Sequence, residues 1–338
     1  MPDRSGAQPG GKRPMKIFDF DTAELRDTYR AQGWLHIREG ATPEFVDYVR
    51  AFVSDYGPGG ALSGKGLAGA KDQLLLEFPP GLDYTREVFD SIAALCGLER
   101  STMALSERHV KIYDADAAPN PRPHKDRYAS QVAVGISIDV DADSCILLYP
   151  DDALDVNPLL RPGLIDTLPP DQQPELALRD ARPVEIHDAP GDVQVFAGSS
   201  VWHGRRNSAG TVIVYLKLND FGCDPLAEDP HTPAVRDHTL AVLGDPGDFR
   251  ASVPRFSRRF ESVTRDYSRA AWGDSLLLNV WDQPPRRITE EDVALLQAVD
   301  GIASVEELIA RGGGDETAAA YRRLAELGAI DLVKQAGR

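Results

Sequence analysis

Long apolar runs are missing from this 338-residue chain; no stretch approaches the roughly 20 apolar residues of a membrane span. The opening segment, residues 1–14, is rich in Pro, Gly and charge and lacks the apolar core of a signal peptide. A cytoplasmic protein with a disordered tail over residues 1–15 is therefore expected. Cysteine is scarce. Cys96, Cys145 and Cys223 stand far apart and form no CxxC pair, which excludes a disulfide framework and a thiolate zinc site and suits a reducing compartment. Basic charge is also in short supply: 37 Lys and Arg face 53 Asp and Glu, for a net charge of −16. A nucleic-acid backbone would be repelled over most of such a surface. No internal repeat is visible.

What is present is a change of pattern along the chain. Residues 22–56 read as helix, short strand, helix. Thr42 caps the second helix with Pro43 in its first position, and Phe45, Val49 and Phe52 run along one face. A further helix is expected from Tyr84 to Cys96. Strand signals dominate from Met103 to Phe221. Residues 109–113 alternate, and so do 132–138, with Val132, Val134, Ile136 and Ile138 on one face. Residues 145–149, 192–196 and 211–218 read as three more strands. Short strands separated by turns predict a closed or two-sheet β architecture rather than alternating βα units. The proline-rich stretch from Asp151 to Pro190 carries little order signal.

The last fifty or so residues differ from the rest. Thr289 with Asp292 and Ser304 with Glu307 resemble capping boxes, Asp315 can cap a third helix, and residues 329–333 read as a closing strand. Three helices and a strand predict a small winged-helix-like module over residues 286–338, after a main domain over 16–285. Without a basic stripe, this module suits a protein or peptide partner, or self-association, better than DNA.

The chemistry centres on His124-Lys125-Asp126. Residues i and i+2 of an extended segment point to the same side, so one imidazole and one carboxylate can reach a common ion. Joined by a distant histidine they would form a 2-His-1-carboxylate triad with open coordination positions. The pair alone is weak, since 7 His and 53 acids in 338 residues give about one chance His-x-acid match, and one is present. His203 is the candidate third ligand. It follows the Pro190-Gly191-Asp192 turn and a short strand, and it lies 77 residues beyond Asp126.

Taken together, residues 29–37 (YRAQGWLHI), 123–126 (PHKD), 190–192 (PGD) and 202–204 (WHG) followed by Asn207 resemble the iron(II)/2-oxoglutarate-dependent oxygenase superfamily, in its phytanoyl-CoA hydroxylase-like branch. The resemblance spans about residues 22–220. It implies an α+β chain with a mainly β core, a double-stranded β-helix (the cupin-like jelly roll) with flanking helices. It also implies Fe(2+) held by His124, Asp126 and His203, with 2-oxoglutarate as co-substrate and O2 as oxidant. In that family an arginine soon after the distal histidine usually pairs with the far carboxylate of 2-oxoglutarate. Residues 213–216 here are Ile-Val-Tyr-Leu, and Lys217, fourteen residues past His203, is the favoured substitute. A lysine would bind that carboxylate as a point charge rather than a fork. Tyr113, Lys111 and Arg206 are further candidates, with Arg205 beside them. The implied reaction is a dioxygenase-type hydroxylation or desaturation of an unactivated C–H bond in a small metabolite, amino acid or peptide, in natural-product tailoring. An intact acid ligand speaks against halogenation.

Residues 59–66 nearly match a phosphate-binding loop but carry Gly66 where Ser or Thr must reach Mg2+. Ser199 and Ser200 form no nucleophile elbow. His109 can share a strand face with Lys111 and Tyr113, though a lone histidine there reads as a satisfied core residue, and His36, His187, His231 and His238 have no defensible partner pattern. Two competing readings remain at this point: a non-redox cupin-like isomerase or lyase, and a binding protein with a degenerate oxygenase core.

Overall fold

The computed structural model describes residues 15–57, 59–60, 72–115, 117, 122–150, 169–269, 272–312 and 314–334. The expected N-terminal tail up to residue 14, most of the 59–66 loop and residues 151–168 lie outside them. By its internal packing the chain divides into two compact units. The first comprises residues 1–100, 109–125 and 133–215; the second comprises 101–108, 126–132 and 216–338.

Two capped helices begin the first unit. Helix α1 (Thr22–Gln32) starts where Asp21 accepts from the Ala23 amide and stops at Gly33, whose φ of +75° is a left-handed conformation that favours glycine. After strand β1 (Trp34–Ile37), helix α2 (Pro43–Ser54) opens with Thr42 Oγ1 accepting from the Phe45 amide at 3.3 Å and buries Phe45, Val46 and Val49. Strand β2 (Gln73–Leu75) follows. The expected 84–96 helix is a π-helical segment over Thr85–Asp90 running into α3 (Ser91–Cys96).

The β core has strands β3 (Ala104–Ile112), β4 (Val132–Asp139), β5 (Cys145–Tyr149), β6 (Val184–Ile186), β7 (Val193–Phe196), β8 (Trp202–Arg206) and β9 (Val212–Asn219), with a single helical turn α4 (Pro174–Ala177) before β6. One sheet has the order β1-β7-β4-β9-β3-β2, the other β6-β5-β8. An isolated antiparallel bridge between His124 and His203 extends the smaller sheet beyond β8. In chain order, β3, β4, β7 and β9 join the larger sheet, while the His124 segment, β5, β6 and β8 join the smaller one. This non-consecutive order is that of a double-sheet jelly roll. Strand β4 departs from the expected one-sided alternation, because all of it except Asp139 is buried. Its second face supplies Ala133 to an apolar cluster with Ile146, Leu148, Ile186, Phe196 and Val201, which draws on both sheets. The Pro-Gly-Asp turn is a structural tie: Asp192 pairs with His36 at 2.7 Å and accepts from the Glu39 and Ala189 amides.

The second unit is α5 (His231–Val242), α6 (Pro246–Ala251), β10 (Val253–Phe256), β11 (Phe260–Ser268), β12 (Gly273–Val280), β13 (Arg286–Ile288), α7 (Glu290–Gln297), α8 (Val305–Gly312), α9 (Asp315–Glu326) and β14 (Ile330–Val333). Both expected capping boxes form, at Thr289/Asp292 and Ser304/Glu307. The expected module boundary at 285/286 falls inside this unit. It separates β12 from β13, which are paired, and it cuts β14 from its antiparallel partner β10. The reason is apolar burial. Val242, Leu243, Phe249, Leu278 and Val280 share one cluster with Leu296, Leu308, Leu324 and Leu332, so residues 286–338 do not own a complete core.

Candidate metal centre

His124 and His203 are joined main chain to main chain. Each amide donates to the other's carbonyl at 2.9 Å, so both imidazoles leave adjacent backbone positions. Their ring centroids stand 4.4 Å apart. The i, i+2 alternation expected from sequence sends Lys125 the other way, where its ammonium lies over the Trp202 ring, and it returns Asp126 to the histidine side. One ligand atom from each of His124, Asp126 and His203 falls within 4.8 Å of the others.

The histidine rotamer is fixed as well. His203 Nδ1 lies 2.9 Å from the Val201 carbonyl oxygen. A carbonyl can only accept, so Nδ1 carries a proton, and in the neutral ring the lone pair is the one on Nε2. Phe196 packs against the same ring at 4.8 Å between centroids. His203 and Asp126 are 8% and 7% exposed, which makes both side chains unlike solvated loop residues. Two imidazoles and one carboxylate, without a thiolate, are a donor set that fits a divalent transition metal.

Asp126 is held from its other side. Lys217 Nζ lies 2.5 Å from Asp126 Oδ1 and 3.3 Å from Glu107 Oε2, and Arg127 pairs with Glu107. Burial alone would push the Lys217 ammonium down; the Asp126 and Glu107 carboxylates outweigh it and hold its pKa above the ordinary lysine value. Burial would likewise raise Glu107, but Lys217 and Arg127 hold it below the usual carboxylate range.

Lys111 and Tyr113 occupy a different polar cluster, within the first unit. The Lys111 ammonium lies 4.8 Å from the centre of the Tyr113 ring. Tyr215 is half-buried; desolvation and then Tyr113 push its hydroxyl above the ordinary tyrosine range, against Arg205 and Lys111, which draw it down. Nearby, Gln194 is fully buried and its Oε1 makes no hydrogen bond. Gly135 leaves the room: a Cβ there would come within 2.7 Å of Gln194 Oε1 and 3.6 Å of Tyr215 Cε1. Arg205 forks onto both oxygens of Asp188 at 3.0 and 2.7 Å, with side chains 3% and 0% exposed.

Arg206 points the opposite way on β8 and forks onto Glu185 at 3.0 and 2.7 Å. That clamp also bears on a second grouping, Cys145, Glu185 and His187, in which a guanidinium already engages the carboxylate. Sequence reasoning missed Glu107, Arg127, Tyr215, Gln194 and Asp188. The available signals were the i, i+2 step from His203 to Arg205 and the glycine at 135 inside a strand whose alternate positions are Val132, Val134, Ile136 and Ile138.

No family model matches the chain, and no curated protein matches it. Solved structures do. The non-haem alpha-ketoglutarate-dependent carbocyclase SnoK from nogalamycin biosynthesis is similar at 16% identity and a TM-score of 0.42, over 61% of this chain and 87% of SnoK. EctD from S. alaskensis, solved with 2-oxoglutarate and 5-hydroxyectoine, is similar at 11% identity and a TM-score of 0.41, over 64% and 86%. A Pseudomonas putida prolyl-4-hydroxylase follows at 12% and 0.37, over 61% and 98%. At these scores the likenesses assign no reaction, and the chain's own geometry has to carry the reading.

Proposed function

We propose that the chain is a non-haem Fe(II), 2-oxoglutarate-dependent oxygenase that hydroxylates or desaturates an unactivated C–H bond of a small metabolite, amino acid or peptide. The observation behind this is the convergence of His124, Asp126 and His203, with the His203 tautomer set for ligation by the Val201 carbonyl. With O2 and 2-oxoglutarate, bound iron supplies the oxidising power to break the C–H bond, and succinate and CO2 are released. The protein's own residues orient and shield. Val201 fixes one imidazole, the main-chain bridge spaces the pair, and the apolar cluster around Phe196 keeps that side dry.

The distal carboxylate of 2-oxoglutarate is assigned to Lys111, with the Tyr113 and Tyr215 hydroxyls, in place of Lys217. The Lys217 ammonium is shared by two acids and the Arg205 fork is taken by Asp188, while Lys111 rests on an aromatic face beside Tyr215. The deciding experiment loads the protein anaerobically with Fe(II) and 2-oxoglutarate and then measures succinate with and without O2. O2-dependent succinate is expected from the parent, and His203→Ala should lose both bound iron and succinate. Metal-bound protein that forms no succinate in air would favour the non-redox reading instead.

A larger substrate is favoured by one feature of the second unit. Among the described residues strand β13 pairs with β12 alone and stands at the edge of its sheet, with Arg286 and Arg287 exposed on a chain of net charge −16. An extended acidic peptide, substrate or carrier, suits such an edge by strand addition. Deleting residues 286–338 would break two sheets, so the test is Arg286→Glu with Arg287→Glu in the full chain. Loss of turnover on a peptide-borne substrate with unchanged O2-dependent succinate background supports it; equal turnover sinks it.

A further inference from the structure

Lys217 is the most closely engaged cation beside the candidate metal centre, and it contacts the acid ligand rather than an open cavity. We propose that Lys217 is a positioning residue that reserves one carboxylate oxygen of Asp126, so the acid offers a cation its other oxygen alone. This rests on the metal-centre reading above.

Three observations support it. The ammonium is asymmetrically placed, 2.5 Å from Asp126 Oδ1 and 3.3 Å from Glu107 Oε2, so its shorter bond is to the ligand carboxylate. The backbone carrying it is tied to the same neighbourhood: the Ser106 hydroxyl lies 3.2 Å from the Lys217 carbonyl and 2.7 Å from the Ala129 carbonyl, three residues past Asp126. Finally, Arg127 pairs with Glu107 from the other side. Glu107 is thereby kept from drawing the ammonium wholly to itself, and the four charges alternate in sign: Asp126, Lys217, Glu107, Arg127.

The side-chain type matters. An ammonium is a point charge that can sit on one carboxylate oxygen, whereas a guanidinium is a planar fork that matches both. Lysine therefore leaves half of Asp126 for a metal, and arginine would take all of it. A neutral residue would release both oxygens and also remove a fixed positive charge from beside the cation.

These alternatives give opposite signs in one measurement, Mn2+ affinity of the full-length protein by calorimetric titration without co-substrate. Lys217→Gln should tighten Mn2+ binding by about tenfold or more through the lost repulsion. Lys217→Arg should weaken it by about tenfold as the fork occupies both oxygens. Glu107→Gln, which leaves the ammonium wholly to Asp126, should also weaken it. A residue that served only packing would shift Gln and Arg the same way. Unchanged or weaker binding in Lys217→Gln overturns the proposal while the metal centre stands. Should that variant fail to melt cooperatively, Glu107→Gln decides alone: unchanged or tighter binding overturns it. A parent protein that binds no Mn2+ removes the metal centre and this role with it.

Discussion

Asp188 accepts the fork of Arg205 with both oxygens, pairs with the Ser137 hydroxyl and accepts from Gln194 Nε2 at 3.2 Å, all in the interior. Removing one partner of such a buried pair strands a charge, so Asp188→Ala should cost about 3–5 kcal/mol in urea-induced unfolding. Replacing both partners by apolar residues, Asp188→Leu with Arg205→Met, should recover most of that loss. Equal stability of the two variants would mean that the pair does not act as a unit. Asp331 shows the reverse balance. Burial raises its carboxyl above the ordinary value of 3.8, against the pull of Ser257, Arg236, Arg258 and His231. The folded chain thus holds this proton more tightly than the unfolded chain. The resulting stability is complete below 3.8 and is lost as pH rises towards the folded value. Asp331→Asn should therefore be more stable than the parent at neutral pH, with the gain shrinking as the pH falls to the ordinary carboxylate range. A gain independent of pH would assign the effect to packing instead.

Among the secondary-structure elements, the helices of the second unit are the most locally determined. Thr289 and Asp292 exchange side-chain to backbone hydrogen bonds at the start of α7, and Thr289→Ala should cost about 1 kcal/mol by thermal or chemical unfolding. Such caps, at Thr42, Thr289 and Ser304, were legible in the sequence because each depends on neighbours a few residues apart; the burial of both faces of β4 was not, because it depends on the second sheet. The grouping of His124 with Asp126 was legible for a related reason: the step between them encodes a shared side of an extended segment. Their company was not. Glu107, Arg127 and Lys217 meet only after β3 and β9 have paired, and no local spacing announces that an ammonium will lie on the Asp126 carboxylate. The pairing of β10 with β14 was equally out of local reach, since the two strands meet across more than seventy residues of intervening chain.

For the whole molecule, the arrangement of strands matters more than any single side chain. The two imidazoles are brought together by the jelly-roll order, which sets the His124 segment against β8 in the smaller sheet. Chelator-treated protein should accordingly retain its circular dichroism spectrum and a cooperative melt, losing only the stabilisation that a bound ligand gives by mass action. Collapse of the spectrum on chelation would instead tie folding to the ion, as in small zinc modules.

The reciprocal amide–carbonyl rungs between His124 and His203 also bear on how such a protein is filled. Since the peptide backbone casts the socket in advance, loading can be the last event of maturation and need not compete with chain collapse. Choice among divalent ions then falls to the supply and exchange rates of the surrounding fluid, and a mismetallated copy could be emptied and recharged without ever being unfolded.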